Sequence, residues 1–264
     1  MIETNKTSEI TTQPEGTYWH FLTEDRCLGY DDGRKVVVGE TLRMDESPIL
    51  CERGFHASER VIDALDFAPG PIVCLVTLGG AVVHDTKHPV PGKSVAQERT
   101  ALWIYDSARL LREFACDVAE ESLLAERSAG REPDPRLFDA ISVMRRFMAG
   151  DATEAERSAA WSAAKSAAEA LLVVSGAAEA AQVASGSACS VAYSAANSAA
   201  RSAAWEVADS VAMNAAYSAT YSAGNGAAYS AANNAAWSAF NDRLTGMLLA
   251  AMAQGEGDFP PSNA

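Results

Sequence analysis

The sequence predicts an α+β protein: a small β-rich N-terminal domain with an inserted helix, followed by an alanine-rich all-α repeat region of long helices. Three observations carry this. Charge and proline lie mostly before residue 158. From Ser158 to Asn241 the chain is written in four-residue words such as SAAW, SAAK, SVAY, SAAN and NAAY. Two short stretches upstream, Thr17–Leu22 (TYWHFL) and Ile72–Leu78 (IVCLVTL), have strand composition.

Residues 1–15 are polar and are expected to be a disordered tail, as is 254–264 with Pro260-Pro261. Thr17–Leu22 reads as the first strand, with aromatics at alternate positions. Cys27–Tyr30 and Lys35–Val38 read as a short hairpin across the turn Asp31-Asp32-Gly33-Arg34. Gly39–Leu50 reads as irregular, since Pro48 forbids a helix through it. Ser58 is placed to cap a helix running through Val61, Ile62, Ala64, Leu65 and Phe67, which Pro69-Gly70-Pro71 stops. Ile72–Leu78 is the strongest strand, and Gly79-Gly80 is expected to turn it into Ala81–His84.

Asp85–Gly92 reads as a loop. From Ser94 the apolar spacing of Val95, Leu102, Leu110, Leu111, Phe114 and Val118 predicts a helix. A second helix is expected over Arg136–Met148, ending at Gly150. Asp151-Ala152-Thr153-Glu154 has the form of a capping box. The implied division is an α+β domain over 16–125, a helical connector over 126–157 and the tetrad-repeat region over 158–253.

Ala and Ser favour helix, and no proline occurs between Arg136 and Phe259. A residue advances about 100° around a helix, so each tetrad overshoots a turn by about 40°. Tyr193, Trp205, Tyr217 and Tyr229 therefore cannot share one face of a straight rod. Either the rod is contacted on several sides or it folds back, with breaks at Ser175-Gly176, Ser185-Gly186 and Gly224-Asn225-Gly226. Helices are expected near 152–174, 187–222 and 227–253, with a short piece at 177–184. A β-solenoid is the alternative, disfavoured by the poor strand propensity of Ala. Small residues four apart permit close helix approach, so self-association through these helices is expected.

The formal net charge is −14, which disfavours nonspecific binding to nucleic acid or anionic membranes. The start MIETNKTSEI lacks the basic and apolar regions of a signal peptide, and no apolar run is long enough to cross a bilayer. The five cysteines are widely spaced without a CxxC pair, consistent with a reducing cytoplasm.

Several pieces of the N-terminal half resemble a domain of unknown function found in bacteriophage and prophage proteins. They are Trp19-His20-Phe21, Leu28-Gly29-Tyr30, Asp32-Gly33-Arg34, Val38-Gly39 and Cys51-x-x-Gly54-Phe55-His56-Ala57-Ser58. Asp63-Ala64-Leu65, Gly70-Pro71-x-x-Cys74 and Lys93-x-Val95-Ala96-x-x-Arg99 complete the set. In that family such domains are often followed by alanine-rich repeats. The resemblance implies an accessory role in a bacterial host cell, with a host protein as a partner, and is nearly silent on activity.

The sharpest constellation is Cys51 and His56-Ala57-Ser58, with His20 upstream and Glu98-Arg99 downstream. It vaguely resembles ADP-ribosyltransferase-like folds. That resemblance implies NAD as cofactor, held by His20 and Ser58, with Glu98 as the catalytic acid. The plainer reading is that Ser58 caps a helix and His56 is hydrogen-bonded structure. His84 and His88, with His56, Cys51 and Asp85, form only one compact pair, so no metal and no cofactor are expected outside the NAD alternative. Cys51 with His56 is a nucleophile arrangement that nothing distinguishes from a buried thiol. Phosphate loops of the GxGxxG or GxxxxGK type are absent. Arg34, Arg53, Arg60, Lys93 and Arg99 would suit a small phosphorylated ligand if the fold gathers them. The leading expectation is a non-enzymatic module binding a host protein or a small anionic ligand through His20, His56, Ser58, Lys93 and Arg99.

Overall fold

The computed structural model describes residues 12–29, 32–65, 67–85, 92–128, 130, 132–174 and 226–261. The chain divides into two compact units, Met1–Ser107 with Asn241–Ala264, and Ala108–Phe240. The β-rich unit is thus discontinuous in sequence. Its last part, Asn241–Ala264, begins within the stretch 158–253 expected as the tetrad-repeat region.

The β-rich unit is built on five antiparallel strands: β1 (Thr17–Leu22), β2 (Thr41–Arg43), β3 (Phe55–Ala57), β4 (Ile72–His84) and β5 (Ser94–Asp106), with helix α1 (Val61–Leu65) between β3 and β4. The order is β1-β4-β5-β2, and β3 also pairs with β5. Along the second edge of β5, β3 covers Ser94–Ala96 and β2 covers Glu98–Thr100. Val38 then bridges Ala101, and Asp258 bridges Ile104. On the other side of the sheet, Trp19 of β1 exchanges both backbone hydrogen bonds with Ser58, at 2.7 and 2.9 Å. One residue beyond β3 therefore curls the sheet back onto its first strand.

Four expectations are corrected here. Gly79-Gly80 is not a hairpin turn but a bulge inside one continuous strand, with Gly80 at φ +67°. A Cβ on Gly80 would come within 2.8 Å of the Gln97 Cβ, so the bulge requires glycine. Residues 94–106 are a strand, not the start of a helix. The pairing from Ile72↔Asp106 to His84↔Ser94 supplies a full ladder that local apolar spacing could not reveal. Ser58 is not the cap of α1. It belongs to the β1 bridge, and the helix begins three residues later, at Val61. The hairpin expected over 27–38 is reduced to the bridge Cys27↔Lys35.

Inside the curl lies an apolar cluster that includes Leu22, Phe55, Ala57, Cys74, Val76, Ala101 and Ile104. The expected C-terminal tail is instead a strap along β5. Asp258 and Ile104 exchange backbone hydrogen bonds at 2.8 and 3.2 Å, Trp103 Nε1 donates to the Glu256 carbonyl at 2.7 Å, and Arg26 pairs with Asp258. It occupies an open strand edge, which a composition rich in Gly and Pro did not announce. At the other end, Gln13 accepts from Trp19 Nε1 at 2.7 Å, so ordered chain begins before Gly16.

The second unit contains α2 (Ala108–Ser128), α3 (Pro135–Ala149), α4 (Glu154–Val174) and the beginning of α5 (Gly226–Ala253). In α3, Asp134 caps the N-terminus, Pro135 opens it and Gly150 at φ +83° closes it. The capping box of α4 is Thr153 with Glu156, two residues later than expected. Thr153 N–H donates to the Glu156 carboxylate at 2.7 Å, and Glu156 N–H donates back to Thr153 Oγ1 at 3.2 Å. α2, α3 and α4, which span the expected connector 126–157, fall in one unit. Tetrads within α4 and α5 are helical. The expected helices over 177–184 and 187–222, with Tyr193, Trp205 and Tyr217, lie outside the described residues. No helix among the described residues is long and apolar enough to cross a membrane.

Candidate functional site

The curl of the sheet leaves a cavity of about 460 Å³ within the β-rich unit. Each of its key side chains arrives by a different strand or loop. His20 comes from the middle of β1, and His56 from the middle of β3. Ser58 comes from the bridge beyond β3, Arg99 from the centre of β5, and Lys93 from the residue before β5. Gly54 makes the approach of β3 possible. It sits at φ +124°, and a Cβ there would lie 2.5 Å from Val95 Cγ2. All five residues expected to bind a ligand, His20, His56, Ser58, Lys93 and Arg99, line this cavity.

Arg99 is its anchor. The residue is 3% exposed, yet it faces no bonded carboxylate. Nη1 donates to the His56 carbonyl at 2.8 Å, the guanidinium lies 5.5 Å from the Phe55 ring centroid, and Nη2 is buried without a hydrogen-bond partner. Burial pushes its pKa down to about 10. Asp32 offsets part of its charge without bonding to it, and a buried cation without a bonded carboxylate is costly.

His20 Nε2 is likewise sealed from solvent without a partner. Burial, and then the positive charge of Arg99, holds its pKa well below the usual histidine value of 6.5. His56 is held down to about 4, by burial first and then by Lys93. Both rings are therefore neutral at pH 7. His56 Nε2 accepts the backbone N–H of Cys51 at 3.1 Å, so that nitrogen is not free to act as a base for the Cys51 thiol. Burial pushes the Cys74 thiol up to about 12, which makes it inert.

The lining carries four cations, Arg34, Arg53, Lys93 and Arg99, against two carboxylates, Asp32 and Glu52. This is a positive recess on a chain of net charge −14. Arg34 and Asp32 form a two-pronged pair, with Nε and Nη2 each 2.7 Å from a carboxylate oxygen. That pair holds the Asp32 carboxyl below its usual range. Arg60 pairs with Asp63 at 3.5 Å and does not line the cavity.

Glu98 is not brought to the site. It lies on β5 rather than on the expected helix, its carboxylate is 3.4 Å from Arg43 Nε, and it is absent from the cavity wall. Adjacent strand positions point to opposite faces, so Arg99 facing inward directs Glu98 away. Sequence reasoning missed the apolar wall formed by Leu28, Met44, Phe67 and Pro69. Its members come from loops, where no periodicity marks them. Among the described residues no group of three or more His, Cys, Asp or Glu converges as a metal site. His84 Nδ1 lies 2.8 Å from Ser94 Oγ instead, and His88 lies outside the described residues. Compared with known proteins, the chain matches no family model, no curated protein and no solved structure.

Proposed function

We propose that the β-rich unit is a non-enzymatic binding module for a small anionic ligand, which enters the cavity and pairs with Arg99. The observation that carries this is the buried guanidinium with an unpartnered Nη2 on the cavity wall. An anion there removes the cost of an unpaired buried charge, and charge-assisted hydrogen bonds of this kind contribute about 1.5–3 kcal/mol each. The two histidines are neutral at pH 7 and bring no charge of their own to the wall. A volume of about 460 Å³ lies within the range of small-molecule sites, about 300–1,000 Å³.

The wider setting we propose is an accessory protein of bacteriophage or prophage type, acting in the cytoplasm of a bacterial host cell. The residue pattern from Trp19 to Arg99 supports this reading. The alanine-rich helices would serve self-association, and a host protein is the natural further partner. Light scattering coupled to size-exclusion chromatography tests the assembly: a monomer at every concentration removes it. The NAD-transferring alternative is less favoured, because Glu98 is outside the cavity and Asp32 is already bound to Arg34. Incubation with labelled NAD and host lysate decides it, since label transfer would restore an enzymatic reading. The binding module itself is tested by calorimetric titration of the full chain with inorganic phosphate, sulfate, and organic phosphates and carboxylates. Heat of binding from one or more of these in wild type, lost in Arg99→Met, is the expected result. No binding by any of them would remove the proposal.

A further inference from the structure

Resting on the anion-binding reading, we infer that the ligand is a phosphate monoester of a small molecule with an apolar or planar body, its single phosphate held between Arg99 and Lys93. The first support is which cations remain uncommitted. Arg34 gives both Nε and Nη2 to Asp32. Arg53 gives Nε to the Ser47 carbonyl at 3.2 Å and lies 3.4 Å from Glu46. Lys93 and Arg99 have no carboxylate partner among the described residues. The Lys93 ammonium lies instead 3.9 Å from the Phe67 ring centroid.

Two cations match a phosphate monoester, which carries about −1.5 to −2 at pH 7 with three acceptor oxygens. A carboxylate would leave one of them unmatched. A polyphosphate would bring more negative charge than they neutralise, next to Asp32 and Glu52. The Arg99 guanidinium and the Lys93 ammonium supply hydrogen-bond donors for its terminal oxygens, and both residues line the recess. His20 Nε2 and Arg99 Nη2 are both buried without partners. Both residues line this one cavity, and buried polar groups of this kind call for a partner.

The second support is the rest of the wall. A lone phosphate would occupy only a fraction of about 460 Å³. Leu28, Met44, Phe67 and Pro69 line the remainder with apolar surface. Phe67 is 43% exposed and offers a ring against which a ligand body can rest. The site thus combines a deep cationic end with an apolar flank, which selects an amphiphilic molecule over a free ion.

The test is calorimetric titration of the full-length chain with phenyl phosphate, glycerol phosphate, inorganic phosphate, benzoate and ADP. Phenyl phosphate is expected to bind at least tenfold tighter than each of the others, and Lys93→Gln to weaken it about tenfold. Benzoate or ADP equalling phenyl phosphate would overturn the monoester, and inorganic phosphate or glycerol phosphate equalling it would overturn the apolar body. Unchanged affinity in Lys93→Gln would overturn the two-cation clamp. Each of these leaves an anion site standing, whereas no binding by any of the five removes the anion-binding reading as well.

Discussion

Among the described residues each unit buries one arginine, Arg99 in the β-rich unit and Arg157 in the helical unit, and the two have different partners. Arg157, in α4, is 4% exposed. Its Nε donates to Glu154 at 2.8 Å, and its guanidinium lies 5.1 Å from the Phe147 ring. Glu154 sits one turn earlier on the same helix, the spacing at which side chains meet. Arg99 is as buried and also lies by a phenylalanine, but its only bonded acceptor is a carbonyl, and Nη2 has none. The helical unit gives its buried arginine a carboxylate of its own. The β-rich unit gives its arginine a carbonyl instead. Equal burial therefore comes with different partners, and on the proposed function it is Arg99, the one without a bonded carboxylate, that meets a ligand.

Exchanging each arginine for methionine breaks the comparison if it is wrong. Arg99→Met is expected to weaken phosphate-ester binding by about 100-fold, while the ligand-free melting temperature does not fall, since an unpaired buried charge is replaced by apolar volume. Arg157→Met is expected to leave binding unchanged and to lower the melting temperature. Titration and scanning calorimetry on both variants read the two effects. A fall in ligand-free stability for Arg99→Met with binding retained would make Arg99 a structural residue like Arg157.

The strap at residues 256–258 gives the next effect. Gly257 sits at φ +84°, and a Cβ there would lie 2.6 Å from the Ile104 carbonyl and 2.6 Å from Trp103 Nε1. Gly257→Ala is expected to cost about 2 kcal/mol, read by urea unfolding with Trp fluorescence. The loss should appear in the β-rich unit and leave the helical signal in circular dichroism in place. A loss of helix content of equal size would mean that the units do not differ in this dependence.

Local pattern carried the helical elements well. Asp134-Pro135 and Gly150 bracket α3 as capping chemistry requires, and α4 begins within two residues of expectation. The strands β1 and the first half of β4 are visible as β-branched and aromatic runs. What sequence could not show is non-local. β5 is a strand because β4 lies beside it for its whole length, and the tail is ordered because Ile104 offers an unpaired edge. Among the site residues, His20, His56 and Ser58 were legible through the constellation around Gly54-Phe55-His56-Ala57-Ser58, and Lys93 and Arg99 as cations that would suit an anion if the fold gathered them. Glu98 was misplaced because a helix spreads neighbours around an axis, whereas a strand sends Glu98 and Arg99 to opposite faces.

All four histidines precede Ser107, so moderate acid should separate the units. His56 has a folded pKa of about 4 against 6.5 unfolded, and His20 is shifted in the same direction. The unfolded chain takes up these protons first as pH falls below 6.5, so stability rises with pH in this window. The His56 contribution is complete above 6.5, declines as pH falls and is gone below about 4, and that of His20 is lost in the same direction. Melting followed at pH 7, 6, 5 and 4 should show the β-rich unit losing stability faster than the helical unit. The double variant His20→Gln with His56→Gln should flatten that slope; an unchanged slope would assign it to carboxylates instead.

The smallest effect is expected at Arg145 of α3, which contacts Asp117 at 2.9 Å and Glu120 at 2.7 Å, both on α2. Three charges in one network make this the best-connected ion pair of the helical unit. Yet each side chain is 34–39% exposed, and water and salt already screen such pairs. Arg145→Ala should cost below about 1 kcal/mol, and the cost should shrink further in 0.5 M salt. A larger, salt-independent loss would mean that the helical unit, too, depends on a desolvated charge. The contrast with Arg99 would then narrow from a difference in kind to one of degree.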